Sequence, residues 1–355
     1  MSRFLNPRYQ TFAAYTPGEQ PRDQQYIKLN TNESPYPPSD AVIAAVNQKE
    51  AADLRLYPDP ECKALRCALA ELYGVSWENI FVANGSDDIL NFAFMAFCSP
   101  TVGAVFADIT YGFYRVFAAL NGVPYREIPL REDFSIDIRA YFGVGGTIFL
   151  ANPNAPTGLS LSRSEMEEIL LQNPDHIVVV DEAYVDFGGE SVYPLIDRYE
   201  NLLVVRTFSK SRCMAGARLG YAFGCRALIE DLEKLRYSTN PYNINRLTMA
   251  AGIAAVQSED YYRAMCQTVM QTRRDFTAAL RKLDFTVPES DANFVFARSA
   301  CMDGASLYRA LRERGFLVRH FDGERIRDYN RITIGTPEQM QKLTEAIIKI
   351  LENEK

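Results

Sequence analysis

From residue 80 onward the chain alternates short apolar runs with longer stretches of helical spacing. The runs are IFVAN (80–84), VGAVFAD (102–108), GTIFLAN (146–152), HIVVVDEAY (176–184), NLLVVRTFS (201–209) and LGYAFG (219–224). Apolar runs this short, separated by helical stretches, are the pattern of strands buried on both faces of a mostly parallel sheet. Helices are expected from Ser86, from Tyr111 and over SRSEMEEILLQ (162–172), where Ser164 and Glu167 stand at capping-box spacing.

After Asn243 the pattern changes. A long helical stretch runs to about Leu283, followed by strands at ANFVFAR, FLVRHF and NRITIGT that alternate with helices over 303–315 and 337–353. The expected fold class is α/β: a large domain around a mostly parallel sheet (46–245), a smaller α+β domain (246–355), and an N-terminal segment (1–45) that is extended and reaches across the molecule. Its Pro- and Asn-rich composition gives it no core of its own.

Composition narrows the function classes. Over 355 residues, 47% are hydrophobic and 23% charged, ordinary values for a folded globular chain. A net charge of −7 with no basic cluster argues against a nucleic-acid partner. Only two histidines, His176 and His320, are present, which disfavours a His-ligated metal or a Ser-His-Asp triad, so no metal is expected. Seven scattered cysteines without a CxxC pair, and no long apolar window at the N-terminus or elsewhere, fit reduced thiols in the cytoplasm and no membrane association.

The candidate chemistry lies at strand ends. HIVVVDEAY runs four apolar residues into Asp181 and Glu182, placing a carboxylate at the carboxyl end of a parallel strand, where open α/β sheets bind ligands. Taken alone, Asp181 reads more readily as a helix cap. One strand later Lys210 occupies an equivalent end, with Arg218 eight residues on. A desolvated lysine beside other positive charge has a lowered pKa and is able to form a Schiff base with an aldehyde. Asp, Lys and Arg together are what a pyridoxal phosphate site requires: a pyridinium partner, an aldehyde-bonding amine and a phosphate clamp. Asn84-Gly85-Ser86-Asp87, between a strand and a helix, offers backbone N–H groups to an anion, although the same tetrapeptide is ordinary capping.

NGSDD, ITYGFY, ANPNAPTG, VVDEAYVDF and RTFSKSRCMAGARLG, in that order, resemble the fold-type-I pyridoxal-phosphate aminotransferases, and among them the histidinol-phosphate aminotransferase family, from Tyr15 to Thr336. The resemblance implies that Lys210 bonds the cofactor aldehyde and then shuttles a proton, that Asp181 pairs with the pyridine nitrogen, that Tyr184 donates to O3′ and that Tyr111 stacks on the ring. It assigns the phosphate to Gly85, Ser86, Asp87, Thr207, Ser209 and Arg218, with Tyr57 of RLYPDP reaching in from a second subunit, hence a homodimer. For the substrate it implies Tyr15 of YTPG, Asn32 of TNESP, Arg319 and Arg331; Arg319 reads equally well as an exposed edge-strand residue.

Three departures stand out. Ala155 precedes the proline where the family commonly has an asparagine, so Asn154 is the substitute contact for O3′. Ser34 and Tyr36 replace the usual residues after N-E. The implied reaction is amino transfer from histidinol phosphate, or from an aromatic amino acid, to 2-oxoglutarate. A decarboxylase acting on threonine phosphate carries nearly the same motifs. An inactive binding domain is disfavoured by the intact Lys210, Asp181 and Arg218, and a dinucleotide site by GVGGT (143–147) preceding its strand instead of following one.

Overall fold

The computed structural model describes residues 3–6, 9, 16, 18–21 and 23–353; Tyr15, named above for the substrate, lies outside them. The chain enters with β1 (Ile27–Lys28), α1 (Asp40–Ala45), α2 (Gln48–Ala52) and α3 (Lys63–Tyr73). The central region alternates β2 (Ile80–Ala83), α4 (Ser86–Phe97), β3 (Ala104–Ala107), α5 (Phe113–Asn121), β4 (Tyr125–Ile128), β5 (Thr147–Ala151), α6 (Arg163–Leu171), β6 (Val178–Asp181), β7 (Leu202–Thr207) and β8 (Gly220–Gly224). Helices α7 (Arg226–Thr239), α8 (Arg246–Gln257) and α9 (Glu259–Lys282) follow. The chain then forms β9 (Phe285–Thr286), β10 (Phe294–Ser299), α10 (Gly304–Glu313), β11 (Phe316–Leu317), β12 (Arg319–His320), β13 (Tyr329–Thr333) and α11 (Pro337–Asn353).

Strands β2 to β8 form one seven-stranded sheet in the order β2-β8-β7-β6-β5-β3-β4. Its pairs are parallel except those of β8, which runs antiparallel to both neighbours. Every residue of β5, β6 and β7 is buried, as the continuous apolar runs require. Strand β4 lacks such a run because it is the sheet edge: Tyr125 and Arg126 are exposed. A four-stranded antiparallel sheet, β12-β13-β10-β9, carries the second large core, packed under α9, α10 and α11.

The N-terminal segment is only partly extended, since α1 folds within it and α2 follows directly, started by side-chain caps from Ser39 and Asn47. Its β1 pairs in parallel with β11, and Thr333 N–H donates to the Leu29 carbonyl at 2.9 Å. The stretch from Leu29 to Glu33 is thereby fixed by residues almost three hundred positions away.

Two local readings are corrected. Helix α5 starts at Phe113, not Tyr111, and the long helical stretch breaks at Ser258 into α8 and α9. The capping box is Ser162 with Glu165, not Ser164 with Glu167. Ser162 has the extended backbone of a cap, whereas Ser164 already lies inside the helix, and Glu167 faces Tyr199 and Arg198 instead. Ser162→Ala should therefore lower stability by about 1 kcal/mol, while Ser164→Ala stays within about 0.5 kcal/mol; equal losses in urea unfolding would reverse the assignment.

Candidate active site

A cavity of about 330 Å³ opens at the carboxyl ends of β5, β6 and β7. Its wall brings together Ser86, Asp87, Tyr111, Asp181, Tyr184, Thr207, Ser209, Lys210 and Arg218, nine of the residues singled out in the sequence. Parallel register explains the convergence: Ala151 pairs with Asp181 and Asp181 with Val205, so β5 and β6 end level and β7 runs two residues further, to Thr207.

Asp181 closes β6 and is 5% exposed. Tyr114 O–H donates to its Oδ2 at 3.1 Å, and the Ala183 N–H donates to Oδ1 at 3.2 Å. It caps no regular helix. Burial pushes its carboxyl up to about 6, with the Tyr114 and Ala183 hydrogen bonds pulling the other way. Tyr114 escaped the sequence reading: it lies inside α5, in the first turn, whereas Tyr111 stands before the helix begins.

Lys210 points its Nζ at the Thr31 carbonyl, 3.1 Å away. Burial brings its amine down to about 8, and the Arg331 charge adds to the effect while Asp87 and Glu33 oppose it; Arg218, the expected cause, contributes least among these. Tyr184 accepts from Asn32 Nδ2 at 2.9 Å, which leaves its own O–H to donate, and its ring stands edge-on to Phe294.

The anion side of the cavity is built from α4 and the Ala215–Arg218 turn. Gly85 caps α4 without any side-chain hydrogen bond, at φ 93°, so the first N–H groups of the helix are not met by a capping side chain. A Cβ on Gly85 would stand 2.7 Å from Arg218 Nη2, and one on Gly220 would stand 2.5 Å from the Gly85 and Ser86 backbone. Both positions therefore demand glycine. Arg218 reaches Asp87 Oδ2 at 3.2 Å and Ser209 Oγ at 3.4 Å, and Tyr111 O–H donates to Asp87 Oδ1 at 2.7 Å.

Other sequence candidates lie off the wall. Asn154 is buried, and its amide is committed to its own loop and to the one after β3: Thr110 donates to its Oδ1, and its Nδ2 reaches the Ile109 carbonyl and Thr157. Ala155 lines the cavity in its stead. Asn32 sits at φ 56° and braces the ceiling through Tyr184, Thr333 and Asn293. Arg331 donates to the Asn30 carbonyl at 2.9 Å, with its guanidinium 5.3 Å from the centre of the Phe294 ring. Arg319 pairs with it across β12 and β13 and is half-buried. Tyr57 is 79% exposed and stacks on Tyr242, 4.5 Å between centroids.

Beneath the cavity, Arg206 is 4% exposed among Asp186, Glu182 and Tyr73. Asp186 also accepts from Ser211, next to Lys210. Among the described residues no cluster of His, Cys, Asp or Glu is able to hold a metal.

In the fold, the Lys210 amine ionises at about 8 against an ordinary 10.5, so at pH 7 its charge opposes folding. Between those two values the unfolded chain holds the extra proton, and wild-type stability gains with rising pH. Lys210→Met should thus raise the melting temperature of the cofactor-free protein at pH 7, and the advantage should shrink from pH 8 upward. A gain constant across that window in thermal scans would contradict the buried-amine reading.

A family model described as aminotransferase class I and II matches residues 24–347. Two curated histidinol-phosphate aminotransferases are similar along their whole lengths. That of Brachyspira hyodysenteriae is 47% identical over 354 residues, 99% of this chain and 100% of its own. Histidinol-phosphate aminotransferase 1 of Bordetella parapertussis is 49% identical over 356 residues, again 99% and 100%. The crystal structure of histidinol-phosphate aminotransferase from Sinorhizobium meliloti, in complex with pyridoxal-5′-phosphate, superposes with a TM-score of 0.88 at 24% identity, covering 99% of this chain and 98% of that one, a likeness of fold. With a lysine and an aspartate facing one crevice of a sheet of this order, and relatives matched end to end, the chain belongs to the class I and II aminotransferase family.

Proposed function

We propose that this chain is a pyridoxal phosphate-dependent aminotransferase that transfers the amino group of histidinol phosphate to 2-oxoglutarate. The observation that carries the reading is the opposition of Lys210 and Asp181 across one cavity whose far side is an uncapped helix N-terminus beside Arg218. These residues fit the cofactor: the glycine-lined approach at Gly85 and the α4 N–H groups suit a phosphate, and the buried carboxylate suits a ring nitrogen. The full-length relatives at 47% and 49% identity support the named donor over an aromatic amino acid or threonine phosphate.

When bound, pyridoxal phosphate supplies an aldehyde that condenses with amines and a cationic ring that accepts the electron pair freed at the donor Cα. Lys210 Nζ takes the Cα proton, for which an amine that ionises at about 8 is suitably poised near neutral pH. Asp181 holds a proton on the ring nitrogen. Tyr184 O–H donates to O3′ and is kept in place by Asn32. Ser86, Thr207, Ser209 and Arg218 hold the phosphate, and Tyr111 covers the ring. Arg331 and Arg319 form the anion end of the substrate site.

The exposed Tyr57 lies beside Leu54 and Leu56, 53% and 45% exposed, on a face suited to a second copy. We assign it to the partner's phosphate site in a homodimer. Among the described residues no helix is long and apolar enough to cross a membrane, and the free cysteines accord with a cytoplasmic setting.

The test is an absorbance titration. Histidinol phosphate should bleach the cofactor band and 2-oxoglutarate restore it; a band indifferent to histidinol phosphate would refute the donor. Lys210→Ala should lose turnover by at least about 10²–10⁴-fold while remaining folded, and appreciable steady-state transfer would sink the mechanism. Asp181→Asn should keep cofactor yet slow transfer by roughly 10²-fold or more; near wild-type rates would remove its role.

A further inference from the structure

Three carboxylates line the cavity: Asp87, Asp181 and Glu33. Asp87 accepts from Arg218 and Tyr111, and Asp181 from Tyr114 and the Ala183 N–H. Both are committed to the cofactor side. Glu33 differs in each respect. Its Oε1 accepts from Lys28 Nζ at 2.8 Å, and among the described residues its Oε2 accepts no hydrogen bond. Its side chain is 43% exposed, open to whatever enters the cavity mouth.

Its backbone is nonetheless fixed. Asn32, the residue before it, is held by Tyr184, Thr333 and Asn293, and Thr31 is tied to Lys210. A carboxylate on a fixed rim, close enough to Lys210 for its charge to be felt there, is a recognition group in search of a donor. The partner chemistry follows from sign and geometry. An anionic substrate end is repelled at Glu33 and drawn instead to Arg331. A group that carries N–H, neutral or cationic, completes the free oxygen. An apolar ring leaves it without a partner, which costs binding in proportion to how far the ring excludes water.

We propose that Glu33 is a specificity-determining residue that hydrogen-bonds the ring N–H of an imidazole-type amino donor and thereby discriminates against phenyl-bearing donors. This rests on the histidinol phosphate reading and names the group that enforces it. Lys28 neutralises part of the carboxylate's field, so that an anionic acceptor is still admitted when it follows the donor into the same cavity.

The test compares wild type, Glu33→Gln and Glu33→Ala as holoenzymes. Turnover is measured as kcat/KM for L-histidinol phosphate and for L-phenylalanine. Binding is measured without reaction, by absorbance titration with imidazole-4-propionate and 3-phenylpropionate, which lack the amino group. Glu33→Ala should lose about tenfold to a hundredfold for the imidazole ligands and leave the phenyl ligands unchanged, with Glu33→Gln intermediate. Lys28→Met, which breaks the ion pair and keeps the carboxylate, should retain the preference. Equal losses for both ring types, or a loss in Lys28→Met as large as in Glu33→Gln, would overturn the proposal by showing that the pair merely holds the segment, and no loss would overturn it by showing that the carboxylate meets no ligand. A wild type inert to histidinol phosphate would overturn the donor reading and this proposal together.

Discussion

The guanidinium of Arg206 is the constraint on which the site depends. It lies at the end of β7, 4% exposed, with Asp186 against one nitrogen, Glu182 at 3.7 Å and the Tyr73 hydroxyl at 2.8 Å. A buried cation is tolerable only when its partners are fixed around it. Its acidic partners, and Ser211 behind them, are sequence neighbours of cavity residues. Glu182 follows Asp181, Asp186 lies two beyond Tyr184, Ser211 follows Lys210 and donates to Asp186, and Arg206 itself precedes Thr207. Arg206 and Thr207 point to opposite faces of β7, and the turns after β6 and β7 set the other members of the cluster beside cavity residues. Neutralising one buried charge therefore sets the positions of four groups on the opposite face. The cluster continues through Arg212, paired with Glu259 at 2.5 Å, so that α9 is anchored to the loop after β7 that bears Lys210.

Above that base, the cavity balances charge unevenly. Asp181 is driven up to about 6 and Lys210 down to about 8, so both are held closer to neutral pH than free side chains, and burial leads both shifts. The arrangement is costly for an isolated chain and useful to one that awaits a charged ring and a phosphate. Asn32, in the left-handed region and bonded on three sides, is the counterpart on the ceiling.

What the sequence made legible follows the range of the forces involved. The strands β5, β6 and β7 announce themselves because both faces are buried; Asp181 closes β6, and Lys210 follows three residues after the end of β7. Nine residues named from the order of motifs line one cavity. Edge strand β4 was invisible because exposure removes its apolar run, and the capping box slipped by two residues because Ser162 and Ser164 differ only in backbone angle. Asn154 was misplaced for a related reason: spacing puts it in the right loop but does not say that Thr110 and Ile109 claim its amide. Thr31 and Glu33 were missed as wall residues because their positions are set by Thr333, Asn293 and Leu317, and no local periodicity encodes contacts of that range.

That same long-range tie has a bearing on how the protein is made. The segment that carries Thr31, Asn32 and Glu33 leaves the ribosome first, yet its hydrogen-bond partners on β11, β10 and β13 leave almost last. At about 5–20 residues per second, the stretch between Lys210 and Thr333 takes on the order of ten seconds to synthesise. Once β8 has emerged, the nascent chain has all strands of its large sheet and the reactive lysine, with only the Tyr184 and Lys210 contacts to Asn32 and Thr31 to hold a ceiling over them. The ceiling is fastened only as the last strand emerges, so the early residues of the chain are the latest to find their place.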